Sequence, residues 1–232
     1  SLLEYFYNEN LDKYFSRDDL KNIDKKYRYN NPNLAVDPNN KTAFPIDLKD
    51  LIRLHKLIRK RKVFTILEYG LGHSTFIMAD ALYKNKLDFL KTDISIQNSI
   101  RCNNKFEIHS IDNDKYWVDN IKEKIKRNNN IEIQKLIRVT FSECEISLFN
   151  GRLCHYYKNN PNIVPDFIYL DGPAAHSVNG NKNNLNFKCL DRTVISGDLL
   201  LEEPTFIPGL FILIDGRSNN AYFLKNNFQR NY

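Results

Sequence analysis

The chain has 232 residues, 42% hydrophobic and 12% aromatic, with a formal net charge of +6. That length and apolar content suit one large folded domain with an arm and exclude a disordered tail. No apolar run reaches the roughly 18 residues of a membrane span and the first residues lack a basic-then-apolar leader pattern, so a cytoplasmic protein is expected.

Residues 1–45 mix aromatic and charged side chains, among them Tyr5, Phe6, Leu11, Tyr14 and Phe15. Helical spacing near the start gives way to Asn30-Asn31-Pro32-Asn33 and Asp37-Pro38-Asn39-Asn40, both turn signals. A helical N-terminal arm or cap is predicted here, followed by a catalytic domain over 46–232. From Pro45, the spacing of Leu48, Leu51, Ile52, His55 and Ile58 predicts a helix closed by Arg59 to Lys62. His55 beside this apolar stripe reads as a satisfied helix residue rather than a catalytic one. The basic runs at Arg59–Lys62 and Lys122–Arg127 fall near helix ends, where cations suit the macrodipole. They read as solvated helix ends, not as a nucleic-acid footprint.

Val63 to Tyr69 is an apolar β-type run that carries Glu68 and leads into Gly70-Leu71-Gly72 and the helix-like 76–82. A strand, a tight glycine turn and a helix N-terminus make a nucleotide-type binding corner. The glycines allow close backbone approach, and the first-turn N–H groups face the ligand. A polar stretch, 85–105, separates this corner from a second strand, 106–111, ending in Asp112. A carboxylate there can accept from both hydroxyls of a ribose. Asp112 follows Glu68 by 44 residues, against about 20 in the compact unit, so 85–105 reads as an insertion; Asp88 and Asp93 are poorer choices.

An amphipathic helix is predicted over 116–127, a third strand over 136–141, and a β-hairpin over 145–156 about Asn150-Gly151, whose residues tolerate positive φ. Phe167 to Leu170 is a buried strand ending in Asp171-Gly172-Pro173. An Asn-rich loop, a helix over 190–203, a buried strand over 210–214 ending in Asp215, and a last helix over 219–230 follow. The cysteines Cys102, Cys144, Cys154 and Cys189 lack Cys-x-x-Cys spacing and read as free thiols. The nearest approach to a zinc cluster is Cys154-His155.

Alternating strands and helices predict an α/β fold with a mostly parallel sheet, order 3-2-1-4-5, helices on both faces and the hairpin inserted. Ligands of such sheets sit at the carboxyl ends of the strands, where Glu68, Asp112, Asp171 and Asp215 all fall. Together these segments resemble a class I S-adenosylmethionine-dependent methyltransferase, in order from about Val63 to Phe228. The resemblance implies a Rossmann-like fold and methyl transfer to a small molecule, with a sugar or glycan-like hydroxyl preferred. It implies that Glu68, Gly70, Leu71, Gly72, Ser74 and Thr75 line the cofactor, that Asp112 binds its ribose, and that Asp171 faces methyl group and acceptor. His176 is the candidate base. Asp171 and Asp215 are candidate Mg²⁺ ligands, since paired carboxylates are hard donors. Gly216 stands where a third ligand is usual, leaving Asn219 or Asn220 as substitutes. Arg217 is expected to pair with Glu202 or Glu203, the alternative being an acidic group of the substrate.

Two rival functions share this layout: a nicotinamide-dependent oxidoreductase and a non-catalytic cofactor-binding module. Thr75 stands where a pyrophosphate fingerprint prefers a small residue. Phe76 stands where a Gly-x-Ser-x-Gly nucleophile elbow needs glycine, which excludes that elbow. The family usually adds two strands after the fifth. The apolar edge of 211–214 is therefore expected to be covered by the arm, the hairpin or a second copy of the chain.

Overall fold

The computed structural model describes residues 1–21, 23, 46–189 and 192–232. The turn signals at 30–33 and 37–40, and Leu190, lie outside the described residues. The elements in order are α1 (Leu2–Asn8), α2 (Arg17–Lys21), α3 (Leu48–Arg61), β1 (Thr65–Tyr69), α4 (His73–Phe89), α5 (Ile94–Ser99), β2 (Glu107–Asp112), α6 (Lys115–Arg127), α7 (Ile131–Gln134), β3 (Ile137–Phe141), β4 (Cys144–Phe149), β5 (Arg152–Tyr157), β6 (Phe167–Leu170), β7 (Val178–Asn179), α8 (Asp198–Glu202), β8 (Phe211–Ile214) and α9 (Ser218–Asn227).

Five strands pair in the order β3-β2-β1-β6-β8, all parallel. This is the predicted 3-2-1-4-5 order, and the fold is Rossmann-like. Every residue of β1 and β6 is buried, as expected of strands covered on both faces. Alternation assigns the faces. Ile66, Ile108 and Phe167 join the core shared with α3 and α4, whereas Leu67, Tyr69, Ile111, Ile168 and Leu170 join the opposite core.

The second face is covered differently from the expectation of an isolated inserted hairpin. β4 and β5 pair across Asn150 (φ +48°) and Gly151 (φ +74°), the left-handed pair that a two-residue turn requires. Part of the Asn-rich loop then returns as β7, parallel to β4, giving a three-stranded sheet β5-β4-β7. Ile146, Tyr157 and Val178 from it share a core with Leu199, Leu200 and Leu224 of α8 and α9.

Two helix boundaries differ from expectation. α4 runs through the start of the supposed insertion to Phe89, because its polar residues have partners: Asn85 caps the Ile58 and Val63 carbonyls and Lys84 reaches Glu9. Conversely, the described part of 190–203 is helical only over Asp198–Glu202. Residues before Gly197 run beside β5, where the His155 N–H donates to the Ile195 carbonyl.

The arm belongs to the core. Phe6, Leu11 and Phe15 are buried with α3 and α4, and a buried carboxylate anchors them. Asp80 of α4 is 1% exposed and accepts from Tyr14 Oη at 2.6 Å and His55 Nε2 at 3.2 Å, with Lys84 and Lys13 at 2.7 and 3.1 Å. His55 also meets Tyr5 Oη at 2.7 Å, so it is the satisfied helix residue its sequence position suggested. The arm therefore lies on α3 and α4 and the hairpin on the second face. Among the described residues no strand pairs with the outer edge of β8. No described helix is long and apolar enough to cross a membrane.

Candidate functional site

The glycine corner is built around Glu68. The side chain is fully buried on the α4 face of β1, and its carboxyl accepts from Ser74 Oγ at 2.5 Å, Thr75 Oγ1 at 2.7 Å and Ser110 Oγ at 2.6 Å. Burial pushes this carboxyl up to about 7, against the pull of those three hydroxyls. The predicted cofactor residues Glu68, Ser74 and Thr75 are thus brought together, but with one another. They clamp the first turn of α4 to β1 and β2. Ser110, which completes the clamp, carries no signal in the sequence.

Between β1 and α4 the backbone turns at Gly70 (φ +102°), a conformation costly for any side chain. A Cβ there would lie 3.3 Å from the Asp171 Cβ, so Gly70 and Asp171 stand against each other across the ends of β1 and β6. The next N–H, that of Leu71, donates to Asp112 Oδ2 at 2.9 Å, and Asp112 Oδ1 accepts from the Asp114 N–H at 2.8 Å. Burial raises the Asp112 carboxyl to about 6, opposed by these backbone donors. The Asn113 N–H is a third backbone donor to this carboxyl. Asp88 ion-pairs with Arg59 on the α4 surface, away from any strand end, which leaves Asp112 as the strand-end acid.

Behind Asp112, Asn113 Nδ2 donates to both the carbonyl and Oγ of Ser177 at 2.9 Å. This draws the 3-10 turn Ala175–Ser177 over towards β2. His176 lies in that turn, partly exposed, with Nδ1 enclosed and unpartnered.

No family model matches the chain, and no curated protein matches it.

At the far strands the structure corrects the expected pairing. Arg217 does not reach Glu202 or Glu203. Glu202 accepts from Tyr69 Oη at 3.0 Å, and Glu203 takes the backbone N–H groups of Gln229 and Arg230. Arg217 turns instead to the end of β6, donating to the Pro173 carbonyl at 3.0 Å and lying 3.8 Å from Asp171 Oδ1. Of the expected substitute metal ligands, Asn220 is engaged through its Oδ1, which accepts the Ser196 N–H, while Asn219 Nδ2 donates to Thr193. No cluster of three or more His, Cys, Asp or Glu suited to a metal occurs among the described residues. Asp171 and Asp215 with a guanidinium beside them make a poor Mg²⁺ donor set, since such an ion takes six oxygens in near-octahedral array. The four cysteines are free.

The bare Gly70 turn, the Asp112 carboxyl and the half-exposed Asp171 lie along one side of the sheet's carboxyl end, where parallel sheets bind ligands.

Proposed function

We propose that the chain is a methyltransferase that uses S-adenosylmethionine to methylate a hydroxyl of a small molecule, sugar-like in the simplest case. The observation that carries this reading is the junction of the glycine turn and the β2 acid, in which the Leu71 N–H donates to Asp112. A carboxylate at the end of β2, beside a turn with no phosphate-cradling third glycine, supports a cofactor that carries a ribose but no pyrophosphate there.

Bound there, the sulfonium cofactor supplies an electrophilic methyl group. Asp112 accepts from the ribose hydroxyls, and Gly70 to Gly72 let the backbone close on the ligand. Asp171, opposite Gly70, meets the acceptor, and His176 in the loop after β6 takes the acceptor's proton as the bond forms. Alignment of donor and acceptor supplies most of the rate gain.

Calorimetry with S-adenosylmethionine and S-adenosylhomocysteine tests the reading, with NAD⁺ and NADH as competitors. Saturable binding of the first pair, weakened at least tenfold by Asp112→Ala, is expected. Binding of the nicotinamides alone would transfer the site to redox chemistry, and no binding of either pair would end the cofactor assignment.

A further inference from the structure

The ends of β6 and β8 are joined by a fixed positive charge. Arg217 Nη1 donates to the Pro173 carbonyl at 3.0 Å and Nη2 to the Gly172 carbonyl at 3.4 Å, with Nη2 3.8 Å from Asp171 Oδ1. The Arg217 side chain is 24% exposed and that of Asp171 49%. Gly172 has φ +81°, and a Cβ on it would stand only 3.6 Å from Nη1, so the guanidinium lies against bare backbone. A planar fork held by two carbonyls from one turn is pre-organised in a way a lysine ammonium is not. The two carboxylates that could hold a divalent ion, Asp171 and Asp215, flank the strand ends on which Arg217 sits, and Gly216 between Asp215 and Arg217 brings no side-chain donor. An ion at Asp171 would meet a like charge that cannot swing away without breaking both carbonyl bonds.

We infer that Arg217 takes the place of a divalent cation in this site: it is a positioning residue that holds the Asp171 carboxylate aimed at the methyl acceptor, and it excludes Mg²⁺ from the Asp171–Asp215 pair. For its bearing on methyl transfer this rests on the function proposed above; the exclusion of the cation is a property of the chain alone. No step of the transfer changes: the methyl carbon bonds to the acceptor oxygen, the sulfur keeps its electron pair as the carbon–sulfur bond breaks, and the oxygen's proton leaves to His176. Arg217 supplies a fixed charge where a metal-dependent site would supply a bound ion.

The test is Mn²⁺ titration followed by electron paramagnetic resonance on wild type, Arg217→Ala, Arg217→Lys and the double variant Arg217→Ala/Asp215→Asn. Wild type and Arg217→Lys should show no single site tighter than about 1 mM, the weak end of oxygen-ligand cation sites. Arg217→Ala should gain a one-to-one site about tenfold tighter or better, and the double variant should lose it. Should Arg217→Ala fail to fold by circular dichroism, Arg217→Gln carries the same comparison. A wild-type Mn²⁺ site abolished by Asp215→Asn would overturn the assignment, and so would an Arg217→Ala (or Gln) protein that gains no site. S-adenosylhomocysteine binding measured in EDTA and in Mg²⁺ should give one affinity; binding that requires Mg²⁺ would also overturn it. Absence of S-adenosylhomocysteine binding in both buffers would instead sink the methyltransferase reading, and the Mn²⁺ result would still decide the role of Arg217.

Discussion

Asp112 does two jobs whose demands conflict. It fixes the glycine turn through the Leu71 N–H, and in the proposed function it accepts from a ribose diol, which it can do well only when ionised. Burial raises its carboxyl to about 6. Protonation as pH falls through that value removes acceptor capacity. Affinity for S-adenosylhomocysteine should therefore be level above about pH 7 and fall up to tenfold per unit below about pH 6. Calorimetry from pH 5 to 8 would show this, with Asp112→Asn giving a flat, weak line; a wild-type profile level down to pH 5 would remove Asp112 from the contact. Much of this corner was legible in the sequence, because strand, glycine turn and helix are contiguous and their chemistry is local. The partners that complete it were not. Ser110 reaches Glu68 from the neighbouring strand, and Arg217 chose Asp171 over the acids of α8 because β6 and β8 are adjacent. Neither fact has a signature in residue spacing.

At the level of elements, the same distinction between local and distant causes explains which boundaries were readable. The strands of the main sheet declared themselves by short apolar runs, and the Asn150-Gly151 turn by its two φ-tolerant residues. α4 was predicted too short because Lys84, Asn85 and Lys86 look like loop until Glu9, the Ile58 carbonyl and Glu132 are placed beside them. Of the helix predicted over 190–203, Ile195–Gly197 instead run along β5, a pairing from outside the window that periodicity inspects. The arm was recognised only as a cap, yet it is part of the core. Leu11 is fully buried, so Leu11→Ala should cost about 2–5 kcal/mol, the range for deleting a packed aliphatic side chain. A urea melt would register this as a lower midpoint. An unchanged midpoint would mean that the arm contributes nothing to the folded body.

For the whole molecule, the distribution of buried acids sets an unusual pH dependence. Burial raises Glu68 and Glu202 to about 7 and Asp112 and Asp198 to about 6. A group whose folded value is raised contributes stability that is present below its ordinary value and lost as pH rises through the folded one. His155 opposes this. Burial, and then Arg217, lower it to about 3, so its share is lost as pH falls below its ordinary value near 6.5. Burial lowers His73 as well; the four raised acids outnumber these two histidines, and Tm should decline between pH 5.5 and 8, which differential scanning calorimetry would follow. A Tm rising steadily over that interval would contradict the buried protonated acids. Glu68→Gln, which keeps the shape and removes the charge, should flatten part of the slope.

α4 has no outward side for much of its length. Every residue from Thr75 to Leu82 is buried, pressed between the sheet, α3 and the arm. An ordinary surface helix tolerates change with a beat of three to four residues, as α6 should, with Lys122, Glu123 and Lys124 exposed beside a buried Ile121. α4 offers no such beat. Size-matched exchange is the change a close-packed interior bears best, and here it applies at each successive position. Variation along Thr75–Leu82 is thus confined by volume on all sides, and the helix that follows the glycine turn has little freedom to drift.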